Sequence, residues 1–331
     1  MRAMVQDRYG ETLRMAEVAA PVPADDEILV RVRAASLNAR DWHIMRGDPY
    51  VARLMSPIFG LRGPAAPIRG SDFAGVVTAV GRSVTRFAPG DEVFGDLRDG
   101  DGAFAEFVCA AQSVVERKPE NLSFEEAAAL PLAGATALQA LRDLAPVRPG
   151  QRVLVNGASG GVGTFAVQLA RAYGGAVTGV CSGRNTDLVR SLGAEVIDYT
   201  SEDFTRSGGR YDLVLDLAAS RSLRALRRAV APEGTLVLGG GGNARTRPLV
   251  IGPVGLSIAG QTVGRLGRQR VVQLNTAAAG PAMLAALREL AEEKTIVPVI
   301  DRAYPFEQTA EALRYLMVEH ARAKVVVTFT D

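Results

Sequence analysis

The stretch Val153-Leu154-Val155-Asn156-Gly157-Ala158-Ser159-Gly160-Gly161-Val162-Gly163 constrains this chain more than any other. An apolar strand runs into a glycine-rich turn, and the periodic apolar residues Phe165, Val167, Leu169 and Ala170 begin a helix directly after it. Glycine lets a backbone approach a pyrophosphate closely, and a helix N-terminus offers unpaired N–H groups and the positive end of the dipole. Strand, turn and helix in this order predict a dinucleotide site. The alternative is a flexible surface turn.

The end of the next strand selects the dinucleotide. An NAD site normally carries Asp or Glu there, about 20 residues past the glycines, to hold the ribose 2′-OH. Here the strand ends Val180-Cys181-Ser182-Gly183-Arg184, and no carboxylate follows until Asp187. Ser182 and Arg184 suit a 2′-phosphate, so NADPH (NADP+) is the expected cofactor. The bland reading of Arg184 is a solvated surface charge.

From Gly150 onward strands and helices alternate. Strands are expected at 153–155, 176–181, 196–199, 212–216 and 235–239, with helices at 161–173, 186–192 and 220–230 between them. That alternation implies a parallel, doubly wound sheet of the Rossmann type. The first third reads instead as short strands and turns, with strands at 27–35, 75–80, 92–94 and 103–108. The texture changes at Ser123-Phe124-Glu125-Glu126, a capping-box spacing at the head of an alanine-rich helix. After Asn275 come a helix at 281–293 and a last strand at 324–329. An edge strand at 271–274 suggests pairing across a homodimer.

Composition excludes several classes. The chain has 331 residues, enough for two domains, and its net charge of +2 argues against strong nucleic-acid binding. No signal core and no membrane-length apolar run are present, so a cytoplasmic location is expected. Two cysteines (Cys109, Cys181) and two histidines (His43, His320) cannot supply a disulfide framework or a Cys₄ zinc site. Both cysteines read as buried small hydrophobes. Of the 38 basic residues only Lys118, Lys294 and Lys324 are lysines.

With the glycine loop, four further stretches carry a resemblance: Asn38-Ala39-Arg40-Asp41 with Arg46-Gly47, Gly70-Ser71-Asp72-Phe73-Ala74-Gly75, Pro89-Gly90-Asp91-Glu92-Val93, and His320-Ala321-Arg322-Ala323-Lys324-Val325-Val326. The chain resembles the zinc-independent medium-chain dehydrogenase/reductase family, its quinone-oxidoreductase-like branch, and looks closest there to reticulon-interacting-protein-like reductases and their bacterial relatives. The resemblance implies a GroES-like, mainly β catalytic domain from both chain ends (1–122 and 276–331). The NADPH-binding Rossmann domain (123–275) would be inserted between them. Zinc relatives place Cys where this chain has Asn38, His-Glu where it has Ser71-Asp72, and four cysteines near 94–104, where it has none. Zinc's polarisation of an alcohol oxygen then lacks an agent.

What the resemblance leaves is hydride transfer from NADPH to a hydrophobic quinone or to the C=C of an α,β-unsaturated carbonyl. It places Asn38, Asp41 and Thr136 near the nicotinamide. Asn38 would donate to the acceptor oxygen, or else bond its own backbone in a turn; Asp41 reads as structural. Related enoyl-thioester reductases keep a tyrosine near the place of Tyr50, where it supplies or orients a proton; the spacing here departs slightly from theirs, and a plain aromatic in an apolar loop is the favoured reading. Ser159, Gly160, Gly161 and Val162 would contact the pyrophosphate, and Tyr199 would join Ser182 on the 2′-phosphate. Leu217, Gly240 and Gly241 would line the carboxyl-end crevice, and His320, Ala321 and Arg322 would close on the cofactor. Segments 50–61 and 252–258 would cover the acceptor. A sensor or partner-binding module with little turnover, and a secondary-metabolism enone or enoyl reductase, are the competing readings.

Overall fold

A computed structural model describes residues 1–48, 50, 53, 58–60, 62–240, 268–274, 280–319 and 321–330. The described residues of 1–135 and 280–330 form one compact unit, and those of 136–274 form a second. Among the described residues no helix is long and apolar enough to cross a membrane.

The second unit is the expected doubly wound sheet. Six parallel strands lie in the spatial order Glu195–Asp198, Ala176–Cys181, Arg152–Asn156, Tyr211–Asp216, Val230–Leu238 and Arg270–Gln273. Val153, Leu154 and Val155 are fully buried, as a central parallel strand covered on both faces requires. The helix Gly161–Ala172 buries Phe165, Ala166, Val167, Leu169 and Ala170. Strand order reverses between Arg152–Asn156 and Tyr211–Asp216, and ligands of such sheets bind at that reversal, outside the carboxyl ends of the strands.

The first unit is a mainly β body around a seven-stranded sheet. Its centre is Glu27–Leu37, where Ile28, Val30 and Val32 point inward and Arg31 outward. The far chain end closes this sheet. Lys324–Thr328 pairs antiparallel with it, Val325 opposite Leu37 and Thr328 opposite Ala34. Asp72–Val80 lies on its other side, with Ser36 opposite Asp72.

Two expectations shift. The strand expected at 103–108 forms instead at Phe107–Ala111, against Glu27–Arg31. Residues before it are held elsewhere, since Ala103 and Phe104 donate their N–H groups to Gly70 and Arg69. The capping box at Ser123 is present, its hydroxyl accepting from the Glu126 N–H at 3.2 Å. It opens a short helix, Phe124–Ala128, which packs on Glu27–Leu37 and Asp72–Val80, so the first unit continues to Ala135. Ala127, Ala128, Ala129 and Leu130 are fully buried there, which ties a segment of Rossmann-like texture to the β body.

Candidate active site

At the carboxyl edge of the second unit, Gly157 turns the chain with φ +91°, a conformation that favours glycine. A Cβ on Gly163 would lie 2.1 Å from the Gly157 carbonyl oxygen, so this glycine lets the helix start against the turn. The first intrahelical bond runs from the Thr164 N–H to the Gly160 carbonyl at 3.0 Å. The N–H groups of Gly161, Val162 and Gly163 precede it, aimed off the helix end as a phosphate would need. Leu217 packs beside Gly157, and its N–H donates to the Asn156 carbonyl. Asn156 donates from Nδ2 to Asp216 at 2.7 Å, and burial raises the Asp216 pKa. Gly240 lies beside Leu217 and Ala219, just past the fifth strand.

Ser159 and Ser182 meet through a residue that sequence reasoning missed. Asn185 donates from Nδ2 to Ser159 Oγ at 3.0 Å and to Ser182 Oγ at 3.3 Å. It is 5% exposed, and its Oδ1 is buried without a hydrogen-bond partner. Arg184 is exposed in the same turn, Gly183–Asn185, and the Tyr199 ring is half-exposed. The Asp198 carboxylate accepts from the N–H and Oγ1 of Thr200, which lowers its pKa. An orphaned buried oxygen, two hydroxyls and a glycine cradle fit an adenine dinucleotide.

The first unit holds a second buried polar cluster. Asn38 precedes the helix Ala39–Arg46; its Nδ2 donates to Asp72 at 3.0 Å, and its Oδ1 accepts from the Lys324 ammonium at 2.6 Å. Lys324 Nζ lies 3.6 Å from Asp72 Oδ2, and the Leu132 N–H points at the same carboxylate from 3.3 Å. Burial pushes Asp72 up to about 6, opposed by the Lys324 charge, and burial lowers the Lys324 pKa. Asp41 accepts from the Asn38 N–H at 2.7 Å, and burial with the nearby Asp101 charge pushes it up to about 7. This donor set does not fit zinc. An amide oxygen and a carboxylate already face the Lys324 ammonium, the Ser36 hydroxyl donates to that carboxylate, and among the described residues no thiolate or imidazole joins them. The loop at 94–104 is pinned by ions, with Asp101 between Arg40 at 2.8 Å and the buried Arg69 at 2.9 Å. Lys324 was legible in one respect, as one of three lysines in an arginine-rich chain.

The remaining expected residues are placed as follows. Thr136 is buried in the helix Pro131–Leu138. Tyr50 is 45% exposed, with the Arg53 guanidinium 4.5 Å from its ring centroid. Ala321 packs on the first-unit core, and Arg322 binds Asp301 through both its backbone N–H and its guanidinium. Gly241, His320, segment 252–258 and most of 50–61 fall outside the described residues. Cys181 is buried and Cys109 only half-buried; burial pushes both thiols up to about 11.

Two families match the chain: "Alcohol dehydrogenase GroES-like domain" over residues 24–120 and "Zinc-binding dehydrogenase" over residues 192–327. The spinach (Spinacia oleracea) chloroplastic quinone-oxidoreductase homolog is 32% identical, covering 99% of this chain and 98% of that protein. The mouse (Mus musculus) mitochondrial NAD(P)H oxidoreductase RTN4IP1 is 34% identical, with 99% and 89% covered. The solved quinone oxidoreductase of Coxiella burnetii superposes with a TM-score of 0.84 at 30% identity, covering 99% of both chains.

Proposed function

The chain belongs to the medium-chain dehydrogenase/reductase family, among its quinone-oxidoreductase-like members, and from that premise we propose a metal-free NADPH-dependent reductase of quinones or of α,β-unsaturated carbonyls. The observation that carries this reading is the Lys324 ammonium bound to Asn38 and Asp72, where zinc relatives keep ligands. A site so filled favours acceptors that are electron-poor without Lewis-acid help, as a quinone or a conjugated C=C is. NADPH supplies the hydride. The protein's share is orientation and a hydrogen bond to the oxygen that gains charge. Asn38 is suited to that bond, because Asp72 takes one Nδ2 hydrogen and the other remains. Ser159, Ser182, Arg184 and Tyr199 would hold the phosphates.

The test is NADPH oxidation with a panel of quinones and enones, with wild type beside Asn38→Ala. Turnover with one class, lowered in kcat by Asn38→Ala, supports the reading. Bound NADPH with no turnover on any acceptor would favour a sensor or partner-binding module. The edge strand Arg270–Gln273 is the proposed homodimer seam, and the protein is proposed to be cytoplasmic. A monomer by light scattering would remove the seam.

A further inference from the structure

Asn185 joins the two serines assigned to different phosphates of the dinucleotide. A serine hydroxyl has one O–H to donate and two lone pairs to accept with. The Asn185 amide gives Ser159 Oγ and Ser182 Oγ a donor each, at 3.0 and 3.3 Å. Among the described residues neither hydroxyl donates to a protein group, so both O–H bonds are left for a ligand acceptor. The amide is also nine-tenths buried, and its Oδ1 has no partner. A buried acceptor left unpaired costs free energy, which a ligand hydroxyl would recover.

We propose that Asn185 is a specificity-determining positioning residue for the phosphorylated dinucleotide, turning Ser159 and Ser182 into outward donors and accepting a ribose hydroxyl at Oδ1. The proposal rests on the NADPH reading above. A neutral amide matters here because a carboxylate in its place would reverse both effects. It would accept from the serines, turn their O–H bonds inward, repel a 2′-phosphate and welcome a 2′-OH, as acidic residues do in NAD sites. The two arms also separate. Ser159 serves the pyrophosphate that NADH and NADPH share, whereas Ser182 serves the 2′-phosphate that only NADPH carries.

The experiment measures Kd for NADPH and NADH by fluorescence titration, with the cofactor-free Tm, for wild type, Asn185→Leu and Asn185→Asp. Wild type should prefer NADPH. Asn185→Leu, which keeps the branched skeleton without its polar atoms, should weaken NADPH about ten-fold and NADH less. Asn185→Asp should weaken NADPH further and move the preference toward NADH. A residue that only braces the turn would lower Tm and leave the NADPH-to-NADH ratio at the wild-type value, and that result overturns the proposal. Wild type without preference would overturn the NADPH reading and this proposal together. Should the Asn185 variants fail to fold, Ser182→Ala decides: a loss confined to NADPH supports the proposal, and equal losses for both cofactors overturn it.

Discussion

The Lys324 ammonium donates to the Asn38 amide oxygen across 2.6 Å, and the same nitrogen lies 3.6 Å from the Asp72 carboxylate, with all three side chains buried. The register of the sheet builds this contact. Val325 pairs with Leu37, and Ser36 pairs with Asp72, so residues from three strands converge at one level. Removing one member of a buried ion pair strands the other charge, at a cost of about 3–5 kcal/mol. Lys324→Met should therefore lower the urea midpoint strongly. Adding Asp72→Asn should recover most of that loss, because the second change removes the stranded charge. A double variant no more stable than Lys324→Met would refute the pairing.

Asp41 gives the same unit a stability that falls with rising pH. Burial and the Asp101 charge push its carboxyl up to about 7, against about 4 for an unfolded aspartate. Between those values the folded chain holds a proton that the unfolded chain has lost, so stability falls as pH rises from about 4 to about 7. Asp41→Asn keeps an oxygen for the Asn38 N–H and removes the titration. The variant should gain on wild type in Tm as pH rises through that window; a difference constant with pH would reject the assignment.

The parallel sheet was legible because its signals are local: continuous apolar strands, a glycine turn and periodic helices. The β body was less so. Arg2–Val5 is only four residues long, Arg14–Glu17 and Ile300–Pro305 have mixed or exposed patterns, and all three exist through their partners, not through their own sequence. The site divides in the same way. Ser159 and Ser182 stand in recognisable places, but Asn185 acquires its role only when the turn Gly183–Asn185 folds back onto the glycine loop. Lys324 is adjacent to Asn38 only through strand pairing between chain ends.

Arg184 tests the choice of dinucleotide from the exposed side of that turn. Hydrogen bonds to a charged group favour a phosphate ligand, so Arg184→Ala should weaken NADPH about ten-fold or more and leave NADH nearly unchanged. The check is a pair of binding titrations at one ionic strength. Equal losses for both cofactors would remove the 2′-phosphate contact.

Tyr50 is half-exposed, its ring under the Arg53 guanidinium, which also bonds the carbonyls of Gly47 and Arg46. Phenylalanine keeps the ring that faces the cation and removes only the hydroxyl. Tyr50→Phe should hold kcat on enals within about two-fold, whereas loss of a general acid costs about a hundred-fold or more. A loss of the larger size would put the phenol on the proton path.

The two glycines at the helix start should separate packing from ligand approach. A Cβ on Gly163 would meet the Gly157 carbonyl oxygen at 2.1 Å and Ala158 backbone atoms at 2.8 Å. Alanine there gains up to about 1 kcal/mol in helix propensity. A clash with backbone outweighs that gain, because overpacking costs about 1–3 kcal/mol and backbone cannot step aside as a side-chain tip can. Gly160 differs, with φ −83°, open to any residue, and only the Gly157 carbonyl oxygen near its would-be Cβ, at 3.5 Å. Gly163→Ala should therefore lower the cofactor-free Tm. Gly160→Ala should leave that Tm in place and weaken NADPH and NADH alike, since its methyl would stand where the shared pyrophosphate approaches. Unaltered dinucleotide affinity in Gly160→Ala would move the phosphates away from this turn.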